Sequence, residues 1–108
     1  MKPLSGNPAD YVLRRAHVPQ DAIKELRRIP GVGKSLATDL YLLGFRHVAD
    51  LKTANPENMY QDLMRLVGGH VDRCVLYVFR CSVYFAAHEA HEPELLKWWN
   101  WKSPAEKD

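Results

Sequence analysis

Apolar residues recur along this chain at three- and four-residue intervals, and hardly any segment alternates as a half-buried strand does. That pattern predicts an all-α fold. Asn7-Pro8 supplies a capping side chain and a first-turn proline, opening a short helix through Tyr11, Val12 and Arg15 to about His17. Ala22, Ile23, Leu26 and Ile29 share one face of a second helix, over about Gln20 to Ile29. Leu36, Ala37, Leu40 and Leu43 mark a third from about Lys34, stopped by Gly44. Val48, Ala49 and Leu51 fit a short connecting helix. Asn55-Pro56 repeats the cap-and-proline start, and Met59, Tyr60, Leu63, Leu66 and Val67 carry that helix on. After Gly68-Gly69 a long helix is expected from His70 to His88, and Pro93 opens a short one through Leu95, Leu96, Trp98 and Trp99. Residues 103–108 hold too little apolar material to pack and are expected to fray.

The break between the second and third helices carries the most chemistry. Pro30 bars Ile29 from helical geometry, and Gly31 and Gly33 are expected to adopt backbone angles that a Cβ forbids. So tight a turn leaves N–H groups without carbonyl partners at the positive end of a helix dipole, which suits a phosphate oxygen. On this reading the amides of Gly31, Val32, Gly33 and Lys34 hold the phosphate. Lys34 adds a mobile positive charge and the Ser35 hydroxyl a further donor, while Arg27 and Arg28 reach neighbouring phosphates. Backbone donors do not read base identity, so the contact would be independent of sequence. The bland alternative is that the turn only packs two helices together.

A shift of 37 residues places Leu26 on Leu63, Ile29 on Leu66 and Gly31 on Gly68, and puts Gly33 on His70, Ala37 on Cys74 and Leu40 on Tyr77. This echo points to a duplicated helix–turn–helix unit, although amphipathic helix pairs produce some such matches by composition alone. Gly68, Gly69 and His70 then form a second, weaker phosphate candidate, with His70 replacing the second glycine and no lysine after it.

Composition changes the picture little. The 108 residues suit one domain, with 46% hydrophobic and 26% charged positions. No apolar run spans a bilayer and the N-terminus lacks a signal peptide's apolar core, so a cytoplasmic protein with no membrane partner is expected. The net charge is only +2, but residues 1–52 hold nine Lys and Arg against five Asp and Glu, and the remainder six against eight. Positive charge is therefore in excess in the half containing the turn.

Two nucleotide-binding look-alikes fail on spacing. Gly33-Lys34-Ser35 imitates the end of a phosphate-binding loop, but that pattern needs glycine where Arg28 stands, and a dinucleotide fingerprint needs glycine where Leu36 stands. No cofactor is implied. Cys74 and Cys81 lie two helical turns apart, about 10.5 Å along a helix, too far for a disulfide. Cys74, Cys81 and His88, with His91 three further on, suggest a metal or redox stripe, yet the seven-residue spacing is too wide to share one ion; only His88 and His91 could chelate locally, with Glu89 or Glu92 nearby, and small cysteines are expected to pack in the core. Trp98, Trp99 and Trp101 read as a closing helix over the core, with Trp101 the member expected at the surface. Asp39, Asp50 and Asp72 have no partner at catalytic spacing, so no catalytic or metal-ligating residue is assigned.

Leu26-x-x-Ile-Pro-Gly-Val-Gly-Lys-x-x-Ala37 closely resembles the helix-hairpin-helix motif of DNA repair and recombination proteins. The wider chain, over roughly residues 18–102, is similar to a small bacterial family named for a pathogenicity locus, some members of which are labelled mitomycin-resistance proteins. Leu43-Gly-Phe-Arg-His-Val-Ala-Asp-Leu51, Gly68-Gly-His-Val-Asp-Arg-Cys-Val-Leu-Tyr-Val-Phe-Arg-Cys81 and Leu95-Leu-Lys-Trp-Trp-Asn-Trp-Lys102 carry that likeness beside the hairpin. The resemblance implies a single helical domain over residues 1–102 with a tandem helix-hairpin-helix (SAM-like) core. Its first unit spans 18–45, its second, degenerate unit 56–90, with a connector helix between and extra helices at both ends. It also implies a non-enzymatic role, binding double-stranded DNA through backbone phosphates in repair or damage resistance. Two alternatives stand beside it: a module recruiting repair machinery through the tryptophan-rich C-terminal end, and a small lyase or glycosylase-like enzyme with Lys34 as a Schiff-base nucleophile.

Overall fold

The computed structural model describes residues 8–103, so Asn7, the residues before it and the tail beyond Ser103 lie outside the described residues. Among the described residues there are only helices and turns. They are α1 (Pro8–Arg15), α2 (Gln20–Leu26), α3 (Lys34–Leu42), a 3₁₀ turn (Val48–Leu51), α4 (Pro56–Val67), α5 (Arg73–Ala87) and two closing 3₁₀ turns (Pro93–Leu96 and Trp98–Trp101). None of these helices is long and apolar enough to cross a membrane.

Local chemistry sets each boundary. Helix α2 stops at Leu26, short of the expected Ile29, because Pro30 keeps Ile29 out of helical geometry. The chain leaves in tightened turns instead, Arg28 N–H donating to the Glu25 carbonyl and Ile29 N–H to that of Leu26, each at 3.2 Å. Ile29 nonetheless stays in the core at 1% exposure. Helix α3 ends in a Schellman arrangement, Phe45 N–H on the Leu40 carbonyl at 3.0 Å and Gly44 N–H on that of Tyr41 at 2.9 Å. Asn55 caps α4 through the Asn58 N–H at 3.0 Å, with Pro56 in the first position. Helix α5 begins at Arg73, later than the expected His70, because Asp72 is its cap and accepts from the Cys74 N–H at 2.8 Å. This start turns Cys74 outward, so only Cys81 of the two cysteines is a core residue.

The C-terminal helix expected after Pro93 is replaced by two single 3₁₀ turns, separated by Lys97 in extended geometry (φ −93°, ψ 109°). Both turns lie against α5. Arg80 donates to the Trp101 carbonyl at 2.9 Å, Trp101 Nε1 to that of Leu95 at 2.7 Å, and the Cys81 thiol to the same Leu95 carbonyl at 3.4 Å.

Helix α5 is the centre of the molecule, packed by α4, by the Val48–Leu51 turn and by the closing turns, while α2 packs on α3 and α1 bridges α3 and α4. Leu26, Ile29, Leu40, Leu51, Leu63, Leu66, Leu76 and Phe79 are fully buried, each contributing about 2 kcal/mol of apolar transfer. No buried side-chain nitrogen or oxygen among the described residues lacks a partner.

The internal echo persists with a change of register. Gly31 and Gly68 both take left-handed angles, φ +85° and +80°, as a shift of 37 requires. Beyond that glycine α3 starts at Lys34, but α5 starts two residues further on, so the matching shift becomes 39. Buried Ala37 and Leu40 then correspond to buried Leu76 and Phe79, rather than to exposed Cys74 and to Tyr77.

Candidate functional site

Gly31 sits at the apex of the turn between α2 and α3. Its positive φ is one that L side chains rarely adopt, and a Cβ built there would stand 2.9 Å from Trp98 Cδ1. The closing segment thus rests directly on this turn. Gly33 differs: at φ −91°, ψ −171° it has ordinary extended geometry, and a Cβ would meet nothing within 4 Å. The expected conformational role of Gly33 is therefore not found. Its lack of a side chain instead leaves the N-cap of α3 empty, with no side-chain capping bond.

The consequence for hydrogen bonding is specific. Val32 N–H donates to the Ile29 carbonyl at 3.1 Å and its side chain is buried, so Val32 is removed from the expected donor set. Ala37 N–H closes the first helical bond, onto Gly33 O at 2.9 Å. Among the described residues, the amides of Gly31, Gly33, Lys34, Ser35 and Leu36 have no acceptor. Gly31, Gly33, Lys34 and Ser35 are exposed. These are the orphan donors of a helix N-terminus, with its partial positive charge.

The second turn has the opposite character. Gly68 and Gly69 both donate to the Met64 carbonyl, at 2.9 and 3.2 Å, and the Asp72 carboxylate occupies the N-terminus of α5. Its Cys74 N–H bond holds the Asp72 carboxyl below its ordinary value, keeping it anionic. At this turn the Gly68 and Gly69 amides are therefore already used and a carboxylate stands nearby, while exposed His70 donates its amide to no acceptor among the described residues.

Side chains around the first turn add positive charge. Arg27, Arg28, Lys24, Gln20 and Ile23 line a shallow cleft of about 370 Å³ on α2. Arg28 is held by Glu25 at 3.0 Å, whereas Lys24 and Arg27 have no anionic partner among the described residues. Lys24 and Arg15 were not anticipated as candidates. Lys24 shares a helix face with Arg27 and Arg28 by its three- and four-residue spacing, a signal that sequence does carry. Arg15 is brought in only by tertiary packing. Its guanidinium reaches Ser35 Oγ at 3.1 Å and the Asp39 carboxylate at 2.5 Å, and Tyr11 donates to Asp39 at 2.6 Å. Asp39 is 6% exposed. Burial raises its pKa, only partly offset by the Tyr11 and Arg15 contacts, and burial beside Asp39 pushes the Tyr11 hydroxyl up to about 12. The triad fastens α1 to the start of α3 and leaves the Ser35 hydroxyl proton free to donate outward.

The remaining candidates have structural duties. The imidazoles of His88 and His91 donate to the Tyr84 and Phe85 carbonyls, at 3.0 and 2.9 Å, satisfying the last turn of α5. Burial pushes the Cys81 thiol up to about 11. Among the described residues no three His, Cys, Asp or Glu side chains gather as a metal site. The tryptophans also depart from expectation: Trp101 is half-buried against Tyr84, ring centroids 5.4 Å apart, and Trp99 is the exposed one.

The molecule is a small all-helical protein in which α3 has an open N-terminus and α5 a capped one. By its sequence the chain belongs to the Cdd1 pathogenicity-locus family, whose model matches residues 19–107. Neither the curated proteins nor the solved structures gave a match. Helix α1, with Arg15 and Tyr11, precedes the matched region.

Proposed function

We propose that this protein binds double-stranded DNA without sequence preference, holding one strand's phosphate on the N-terminus of α3. The observation carrying this reading is the set of acceptor-free amides at Gly31, Gly33, Lys34, Ser35 and Leu36 on an uncapped helix, with exposed Lys34 at its first position. The cationic cleft of Lys24, Arg27 and Arg28 extends the positive surface along α2. Gly31 and Gly68 at matching positions support a tandem helix-hairpin-helix arrangement with the second hairpin a structural partner, since its Gly68 and Gly69 amides serve Met64. A place in DNA repair or damage resistance rests on the hairpin's resemblance to repair proteins.

Fluorescence anisotropy with a labelled duplex at several salt concentrations tests the proposal. Affinity should fall steeply with salt, and Lys34→Ala should lower the slope of log K against log salt by about one. A salt-independent signal, or a Lys34→Glu variant that binds as tightly as the parent, overturns it.

A second reading draws on an apolar groove of about 340 Å³ lined by Pro56, Val83, Tyr84, Ala87 and Trp101, beside Arg80 and Glu57. It would take an apolar side chain of a protein partner. Loss of a partner in pull-downs with Trp101→Ala, alongside unchanged DNA affinity in Lys34→Glu, would favour it. The lyase alternative gains nothing from the geometry, because Lys34 is exposed and lacks the burial that activates a Schiff-base lysine.

A further inference from the structure

Trp99 is 56% exposed, and among the described residues no other Phe, Tyr or Trp is classed as exposed. It stands edge-on to Trp98, with ring centroids 5.7 Å apart and planes 87° apart, and Trp98 in turn lies over Gly31. The most exposed aromatic side chain among the described residues is thus one ring removed from the turn whose amides are open. Resting on the proposed function, we infer that Trp99 stacks on an unpaired base whose neighbouring phosphate sits on the Gly31–Leu36 amides. The preferred substrate is then DNA carrying a single-stranded gap rather than a continuous duplex.

The chemistry favours that class for a simple reason. Bases inside an intact duplex have both faces covered by their neighbours, leaving an indole nothing to stack against. An unpaired base offers its face, and such stacking is sequence-tolerant, as a backbone phosphate contact also is. The fold holds the indole near the turn without using it in the core. Trp98 supplies the packing, Lys97 is tied to Glu94 at 2.9 Å, and Asn100 donates to the Glu94 carbonyl at 2.8 Å. The segment is braced on both sides of Trp99.

The test compares a fluorescein-labelled duplex with the same duplex carrying a central single-stranded gap, by anisotropy, for the parent, Trp99→Ala, Trp99→Phe and Lys34→Glu. The parent should bind the gapped DNA at least about fivefold more tightly. Trp99→Ala should lose that preference while keeping the parent's duplex affinity and helical circular dichroism, and Trp99→Phe should retain part of it. Equal affinity of the parent for both DNAs, or a preference that survives Trp99→Ala, overturns the inference and leaves the hairpin reading standing. If neither DNA binds, or Lys34→Glu binds both like the parent, the hairpin reading itself falls and this inference with it.

Discussion

Gly31 and Gly33, one residue apart, answer to different demands. At Gly31 the left-handed backbone costs an L-residue about 1–2 kcal/mol, and the added methyl would also have to displace the Trp98 ring. Gly31→Ala should therefore lower the urea midpoint visibly. Gly33 already has the extended geometry of a helix cap and has open space beside it. Gly33→Asp should fill the empty cap, raising stability by about half a kcal/mol in the same denaturation experiment. The carboxylate would then occupy the place proposed for the phosphate, and on that proposal duplex affinity measured by anisotropy should drop at least about tenfold. A gain in stability with a loss of binding in one variant is a signature that a merely structural turn would not produce. The motif itself was legible in sequence, since Pro30 and the glycines announce a turn wherever they stand. The different reasons for the two glycines were not, because one depends on a ring from residue 98 and the other on an absent side chain.

At the level of elements, caps decide more than periodicity does. Asn55-Pro56 and Gly44 were readable because each is a local signal completed within a few residues, and both do what their chemistry implies. Asn55→Ala should cost about 1 kcal/mol, measured as a shift in thermal or urea unfolding with the fold unchanged. The start of α5 was harder. Nothing in His70, Val71 or Asp72 forbids a helix, and the first turn is fixed by Asp72, whose carboxylate accepts from the Cys74 N–H and whose carbonyl accepts from the Val75 N–H. That displacement turned Cys74 outward, moved the echo register and placed the Asp72 carboxylate at the N-terminus of α5. The C-terminal turns escaped a periodic reading for a different reason. Single 3₁₀ turns shaped by contacts with α5 leave no repeat long enough to detect.

Over the whole molecule, carboxylates at the surface and half-buried beneath it act as staples. Glu25 accepts from the Val48 N–H at 3.1 Å and pairs with Arg28, tying α2 to the connecting turn, and those bonds hold its pKa below the ordinary 4.5. Asp50, through the Arg46 and His47 N–H groups, and Asp72 are lowered in the same way. Carboxyls with lowered pKa stabilise the fold above their ordinary values, and that contribution is lost as pH falls through the lowered ones. Urea midpoints should accordingly decline below about pH 4.5, and Glu25→Gln should flatten part of that decline. Tyr11 has the opposite sign: its raised pKa contributes stability below 10.0, lost as pH rises through about 12.

The seating of Trp98 on Gly31 also has a consequence for the order of assembly. The two residues lie 67 positions apart, so the hairpin receives its backing only when the ends of a long loop meet. Helices α2 and α3 can form from near neighbours as soon as they exist, yet the apex between them is finished by a segment that follows α5 in the chain. A nascent chain, or one nicked after α5, would lack the ring that backs the Gly31 turn.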